Sequence, residues 1–364
     1  MMAQPLRFAK SVCFYTFAGI ERDAMKTEVD NTIVPFTTTL LKWFAQYGRE
    51  LPWRGITDPY GIWVSEVILQ QTRIDQGRDY WLRFMDRFPT VEALAAASED
   101  DVLLQWQGLG YYSRARNMHA AARQIVGLGG FPRTIEGLRA LKGVGDYTAA
   151  AVGSIAFNLP AAAVDGNVYR VLSRHYGIDV PINTTKGKRT FQALAQDLLP
   201  PGQASLFNQA MMDFGATWCT PKSPRCIDCP VADTCDALRT GRISQLPVKE
   251  AKVKVQERHF SYIYIRHDGQ TALRRRPAGG IWQGLWEPLL IEDGPLPELG
   301  CPLSTLACDV KHVLTHRVLR ADFYLAEPAV RPALPEGYQW IDEEDIVNYA
   351  VPRLVEKLLQ LVKR

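Results

Sequence analysis

From Phe36 to about Arg242, apolar positions recur every three to four residues in blocks such as Thr39 to Tyr47, Trp63 to Gln71, Val91 to Ala97, Ser113 to Val126 and Thr190 to Leu199. That is the period of helices with one buried face. Proline and glycine punctuate the blocks at Leu51-Pro52, Phe88-Pro89, Gly127 to Pro132, Leu159-Pro160 and Pro200-Pro201-Gly202, so helices joined by short links are the simplest account. From Ile243 to Gln256 the chain turns polar, with one proline and no period, which predicts an exposed linker. Beyond it, Phe260 to Ile265 is aromatic and β-branched, Asp268-Gly269 is a hairpin signal, Thr271-Ala272-Leu273 resumes the apolar pattern and Val318 to Leu325 alternates. These are strands. An amphipathic helix over Pro352 to Val362 closes the chain. The pattern predicts a mostly α region over 36–242, a linker over 243–256 and an α+β domain over 257–364.

With 364 residues, 47% of them apolar and 22% charged, the chain can bury two cores. The net charge of +3 is too small to imply nucleic acid by itself; a DNA site would need local clustering of Lys and Arg. No apolar run approaches the ~20 residues of a membrane helix, so a soluble protein is expected. Ser11 to Ile20 lacks the length and cleavage pattern of an export signal. Met25 offers a second start, and residues 1–35 are expected to be a disordered extension or to precede the true start.

Four of the seven cysteines fall in Cys219-x6-Cys226-x2-Cys229-x5-Cys235. This crowding is metal spacing, unlike a disulfide framework. Four thiolates suit either zinc or a cubane iron-sulphur cluster. The x6 and x5 flanks are unlike the paired short knuckles of most structural zinc sites.

Two segments carry carboxylates suited to chemistry, and a third suits phosphate. Leu141-Lys142-Gly143-Val144-Gly145 lies between helical patterns; its glycines allow a tight turn that presents amides at a helix N-terminus, where a phosphate can bind. Such a turn also serves as plain punctuation. Val164-Asp165-Gly166-Asn167-Val168-Tyr169-Arg170 places Asp165 at a helix start, an ordinary N-cap or an anion held by first-turn amides. Glu66 sits within the apolar helix Trp63 to Thr72, on a solvated face or partly buried.

Together with the cysteine spacing, these segments resemble the helix-hairpin-helix DNA glycosylases of the endonuclease III type. Within that superfamily the chain resembles the adenine DNA glycosylase (MutY-type) family, through Leu51-Pro52-Trp53-Arg54, Ser65 to Thr72, Gly108-Leu109-Gly110-Tyr111-Tyr112-Ser113-Arg114-Ala115-Arg116 and Val164-Asp165-Gly166-Asn167. The resemblance covers roughly Thr38 to Ala350. It implies a [4Fe-4S] cluster on Cys219, Cys226, Cys229 and Cys235, and hydrolysis of the bond between adenine and deoxyribose opposite 8-oxoguanine or guanine in double-stranded DNA.

That reaction needs one carboxyl to give a proton and another to stay ionised beside the sugar cation. Desolvation suits Glu66 to the acid role and the helix terminus suits Asp165 to the anionic one; the resemblance implies the same roles. Where endonuclease III relatives carry a catalytic Lys two residues after the hairpin, this chain has Tyr147, which cannot form a Schiff base. A monofunctional enzyme follows, with Tyr147 and Asn167 helping to place water and sugar. By resemblance, Gln71 and Tyr111 wedge into the base stack when the adenine is flipped out. Arg73, Arg114, Arg116, Lys222 and Arg225, together with the hairpin residues Leu141, Gly143 and Gly145, are expected to meet the DNA backbone. Lys142 departs from the Pro of many relatives.

The C-terminal domain resembles the family's Nudix-like recognition domain, through Arg274-Arg275-Arg276-Pro277 and Gly280 to Trp286. It lacks the acidic helix that holds Mg²⁺ in Nudix hydrolases, so pyrophosphate hydrolysis is not expected. The family's Phe-Ser-His loop that contacts 8-oxoguanine corresponds to Leu314-Thr315-His316; the donors and acceptors remain and the aromatic surface is lost. A cytoplasmic monomer is expected, nucleoid-associated when on DNA.

Overall fold

A computed structural model describes residues 35–250, 256–314 and 317–363. The expected N-terminal extension up to residue 34, residues 251–255 of the linker, and Thr315 and His316 lie outside the described residues. Among the described residues no helix is long and apolar enough to cross a membrane.

The helical region runs α1 (Pro35–Tyr47), α2 (Pro59–Leu69), α3 (Ile74–Arg87), α4 (Val91–Ala96), α5 (Glu99–Gln105), α6 (Ser113–Gly127), α7 (Ile135–Arg139), α8 (Asp146–Phe157), α9 (Gly166–Tyr176), α10 (Thr185–Asp197), α11 (Ala204–Thr217) and α12 (Asp236–Arg239). Helix α2 starts where Asp58 accepts the amides of Tyr60 and Gly61 at 3.2 and 2.8 Å, with Pro59 pre-set for the first turn. From Tyr60 to Ile68 every residue of α2 is buried. A helix without a polar face belongs inside, and α2 lies against α3 and α8, whose residues Thr148 to Ser154 are buried too.

Two cores result. One gathers Trp63, Ile68, Phe84 and Trp106 around α2; the other gathers Leu40, Phe191, Phe207 and Phe214 around α9 and α11. Glu66 hangs from the first and Asp165 from the second. Both carboxyls line one cavity.

The C-terminal sheet comprises β1 (Gln256–His267), β2 (Gln270–Arg275), β3 (Trp286–Glu287), β4 (Leu289–Glu292), β5 (Leu303–Val313), β6 (Arg317–Ala326) and β7 (Tyr338–Asp342), followed by α13 (Arg353–Val362). Its order is β3-β2-β1-β6-β5, with β4 on β1 and β7 on β2. β1 and β6 pair in parallel; the other pairs are antiparallel. The β1–β2 turn uses Asp268 and Gly269 at φ 48° and 71°, the left-handed pair that a two-residue hairpin demands. Along β1, Phe260, Tyr262 and Tyr264 enter the core under α13, while Ile263 and Ile265 enter a second core on the other face. Both faces are covered, which is why this strand reads as a continuous apolar run.

The sheet docks on the helical region. Leu285 and Ala350 are part of the α2 core, Arg116 donates to the Gln283 carbonyl at 2.5 Å, and Arg275 reaches Glu99 and Asp100 at 2.9 and 3.3 Å.

Candidate active site and DNA-facing cleft

Glu66 is 8% exposed. The Tyr147 hydroxyl, from the first turn of α8, donates to its Oε2 at 2.7 Å and lies 3.1 Å from the Met212 sulphur. Burial raises the Glu66 pKa to about 7; the neighbouring Asp165 also raises it, and the Tyr147 hydrogen bond and Arg54 oppose the rise. The Tyr147 hydroxyl is itself driven well above its usual range by burial and by the two carboxyls, so it stays a neutral donor.

Asp165 is the N-cap of α9. Its Oδ1 accepts the amides of Asn167 and Val168 at 2.9 and 2.8 Å, and its Oδ2 accepts the Asn167 side-chain amide at 2.8 Å. Arg170 holds the Asn167 carbonyl oxygen at 2.8 Å and so fixes that amide's orientation. An N-cap carboxylate is expected to sit low. Here burial outweighs the donors, and Asp165 is raised as well, held back by Val168, Asn167 and Arg170. The two carboxyls still differ in kind: Glu66 meets one phenol, Asp165 three N–H donors.

A third carboxyl completes the cavity and has no counterpart among the residues singled out from the sequence. Asp213 of α11 is fully buried; Arg54 holds it through two bonds of 2.7 and 2.6 Å and Arg49 through its amide at 2.9 Å and its guanidinium. Burial would raise this carboxyl; the hydrogen bonds from Arg54 and Arg49 outweigh it and hold Asp213 below the usual carboxylate range. The cavity is lined by the polar Glu66, Tyr147, Asp165, Asn167, Arg54 and Asp213 and by the apolar Leu69, Trp53 and Val164.

Gln71 lines this cavity and Tyr111 lines an adjoining cleft that Gln71 shares; both are exposed and in the left-handed region, at φ 59° and 48°. Non-glycine residues persist there when surroundings hold them. Arg114 does the holding: Nη1 donates to the carbonyls of Val67, Ile68 and Gln70, and the guanidinium lies 5.5 Å from the Tyr111 ring centroid. Arg114, expected from the sequence at the DNA backbone, turns Nη1 onto the end of α2, because that helix terminus leaves carbonyls needing partners. Arg116 is likewise drawn to the Gln283 carbonyl. Arg73, at the cap position of α3, is exposed on the cavity rim.

The hairpin turns at Gly143, φ 75°, where a Cβ would come 2.6 Å from Asn117. Gly145 caps α8 with no side chain on the first-turn amides, which leaves them for a ligand. Leu141 buries its side chain, and Gln124 takes the Lys142 amide at 2.7 Å.

Cys219, Cys226, Cys229 and Cys235 line one small cavity, all free thiols. Helix α9, whose N-terminus carries Asp165, anchors this loop: Arg170 donates to the Cys219 carbonyl at 2.7 Å, and Arg174 to the Thr220 and Pro221 carbonyls at 2.8 and 3.0 Å. Among the described residues no three of His, Cys, Asp and Glu are grouped as a single metal ion requires. Lys222 is exposed, and Arg225 stacks 3.8 Å from the Trp218 ring centroid. Leu314 bonds the Arg317 carbonyl at 2.8 Å and so closes the β5–β6 hairpin whose tip lies outside the described residues.

The fold belongs to a known class. Residues 64–201 match the HhH-GPD superfamily of base excision DNA repair proteins, and residues 261–361 match a NUDIX domain. A thermostable thymine-DNA glycosylase superposes with a TM-score of 0.53 at 30% identity, covering 56% of this chain and 95% of that one. Mouse adenine DNA glycosylase is 33% identical across 90% of this chain and 78% of its own length. For the human enzyme the figures are 33%, 90% and 74%, and for that of Buchnera aphidicola subsp. Acyrthosiphon pisum 30%, 90% and 98%. The chain belongs to the adenine DNA glycosylase family.

Proposed function

We propose that this protein hydrolyses the N-glycosidic bond of adenine mispaired with 8-oxoguanine or guanine in duplex DNA, without strand cleavage. The observation that carries the reading is the pairing, in one cavity, of a carboxyl raised to about 7 with a second carboxyl ringed by N–H donors. Near neutral pH Glu66 retains a proton that can pass to an adenine ring nitrogen. As the C1′–N9 bond breaks, its electron pair leaves with adenine, and Asp165 stabilises the positive sugar or forms a covalent adduct with it. Water then adds at C1′, and its proton returns to Glu66. Asn167, locked by Arg170, and Tyr147 hold water and sugar in place.

No lysine is found among the described residues lining this cavity, so nothing there supplies a Schiff-base amine. Gln71 and Tyr111, fixed by Arg114, fill the space left by the flipped base. Arg73, Lys222, Arg225 and the hairpin amides of Gly143 and Gly145 take phosphates, with Leu141 anchoring the hairpin in the core. Leu314, Thr315 and His316 read the opposite base.

Cys219, Cys226, Cys229 and Cys235 fit a [4Fe-4S] cluster: four soft thiolate donors line one cavity. The cluster would fix the loop that carries Lys222 and Arg225, and no step of the hydrolysis draws on it. The protein works as a monomer in the cytoplasm. Single-turnover assays with adenine opposite 8-oxoguanine and opposite guanine test the reading, followed by borohydride trapping. Abasic product without a trapped adduct is expected; efficient trapping, or strand breaks without added base, would overturn the monofunctional assignment.

A further inference from the structure

Met212 of α11 is the one methionine among the described residues lining the cavity that holds Glu66 and Asp165, and it is half-buried, whereas Met118 and Met211 are 1% and 0% exposed. Its sulphur lies 3.1 Å from the Tyr147 hydroxyl, whose oxygen is 2.7 Å from Glu66 Oε2. One phenol proton therefore faces two acceptors. A thioether is a weak acceptor and a carboxyl oxygen a stronger one, so Glu66 takes the proton. That ranking holds only while the sulphur stays reduced.

We propose that Met212 is an oxidation site for peroxide and that its sulfoxide slows excision by drawing the Tyr147 proton away from Glu66. This rests on the reading of the cavity as the site of adenine excision. The thioether gives an electron pair to one peroxide oxygen, and an S–O bond forms as the O–O bond breaks. The departing hydroxide takes up the proton of the transferred oxygen and leaves as water; sulphur is oxidised and peroxide reduced by the same electron pair. The product is a polar side chain where a flexible apolar one stood. Its oxygen competes best for the phenol when Glu66 is neutral, and so favours the protonated carboxyl. Glu66 then loses the hydrogen bond that opposes its raised pKa and becomes a weaker acid, and the phenol turns from the place where it holds water and sugar.

The test treats the holoprotein with graded hydrogen peroxide and reads the oxidised fraction of each methionine by peptide mass spectrometry. Single-turnover excision of adenine opposite 8-oxoguanine is then followed from about pH 5 to 9 in wild type and Met212→Leu, each relative to its own untreated sample. Met212 is expected to gain an oxygen ahead of Met118 and Met211, and the wild-type rate to fall about tenfold in step with that fraction, the worth of one hydrogen bond. The fall of the oxidised wild type with pH should begin at higher pH, and treated Met212→Leu should keep its own untreated rate. Oxidation of Met118 or Met211 before Met212, a rate within about twofold of untreated once Met212 is oxidised, or an equal loss in Met212→Leu overturns the assignment. Thermal unfolding checks that the variant folds; if it does not, the pH profile of oxidised wild type decides alone, and an unshifted fall overturns the assignment. An untreated wild type that leaves adenine in place overturns the functional reading and the effect on excision with it, whereas the oxidation site stands or falls by mass spectrometry.

Discussion

Tyr147 donates a 2.7 Å hydrogen bond to Glu66 between the packed helices α8 and α2, joining residues 81 apart in the chain. Glu66 lies on the apolar α2, and Tyr147 begins a helix set by the hairpin. The packing that buries Glu66 therefore also gives it a neutral donor. Burial dominates, and the carboxyl rests at about 7.

That burial opposes stability above neutral pH. Between the usual 4.5 and about 7 the folded protein keeps a proton on Glu66 that the unfolded chain releases. Its contribution to stability therefore declines as pH rises through that window and is gone above it. Glu66→Gln removes the titration. Urea unfolding should find the variant more stable than wild type by on the order of 2 kcal/mol at about pH 8, with the margin closing near pH 4. An equal margin at both pH values would contradict this.

Tyr147→Phe removes a hydrogen bond that lowers the Glu66 pKa. The expected result is a slower enzyme whose pH–rate profile begins its fall at higher pH than wild type. A fall displaced to lower pH would mean that Tyr147 does not act on Glu66.

How much of this was legible in sequence depended on range. Asp165 could be placed at a helix start because an N-cap is a local signal, as is the Asp268-Gly269 turn. Asp213 could not be found: its partners Arg49 and Arg54 lie 164 and 159 residues away, and no spacing rule connects them. The parallel pairing of β1 with β6 is equally long-range. The bonds of Arg114 to the end of α2 were not legible for a different reason: a guanidinium suits a phosphate or a helix end equally well, and only the folded chain brings Arg114 of α6 to the end of α2.

Asp213→Ala strands two guanidinium groups beside the cavity that holds Glu66 and Asp165. Removing one partner of a buried ion pair typically costs about 3–5 kcal/mol, and chemical denaturation should find a loss of that order together with a collapse of adenine excision. A loss under about 1 kcal/mol, the size of an exposed pair, would show that the site is wetter than its burial indicates.

Arg114→Ala should weaken duplex binding by loosening Gln71 and Tyr111 while leaving the salt dependence of binding intact. A phosphate contact contributes about 0.9 to the slope of log K against log salt. A slope reduced by that amount would return Arg114 to the DNA backbone.

The central claim is that Glu66 supplies the proton that releases adenine. Its most direct test is the single-turnover rate of adenine excision opposite 8-oxoguanine, followed from about pH 5 to 9 in wild type and Glu66→Gln. Wild type should lose about tenfold per pH unit above roughly 7, and the variant should be slower by about 10²–10⁴ with no such fall. A wild-type rate flat to pH 9, or a variant that keeps most of the activity, would contradict it.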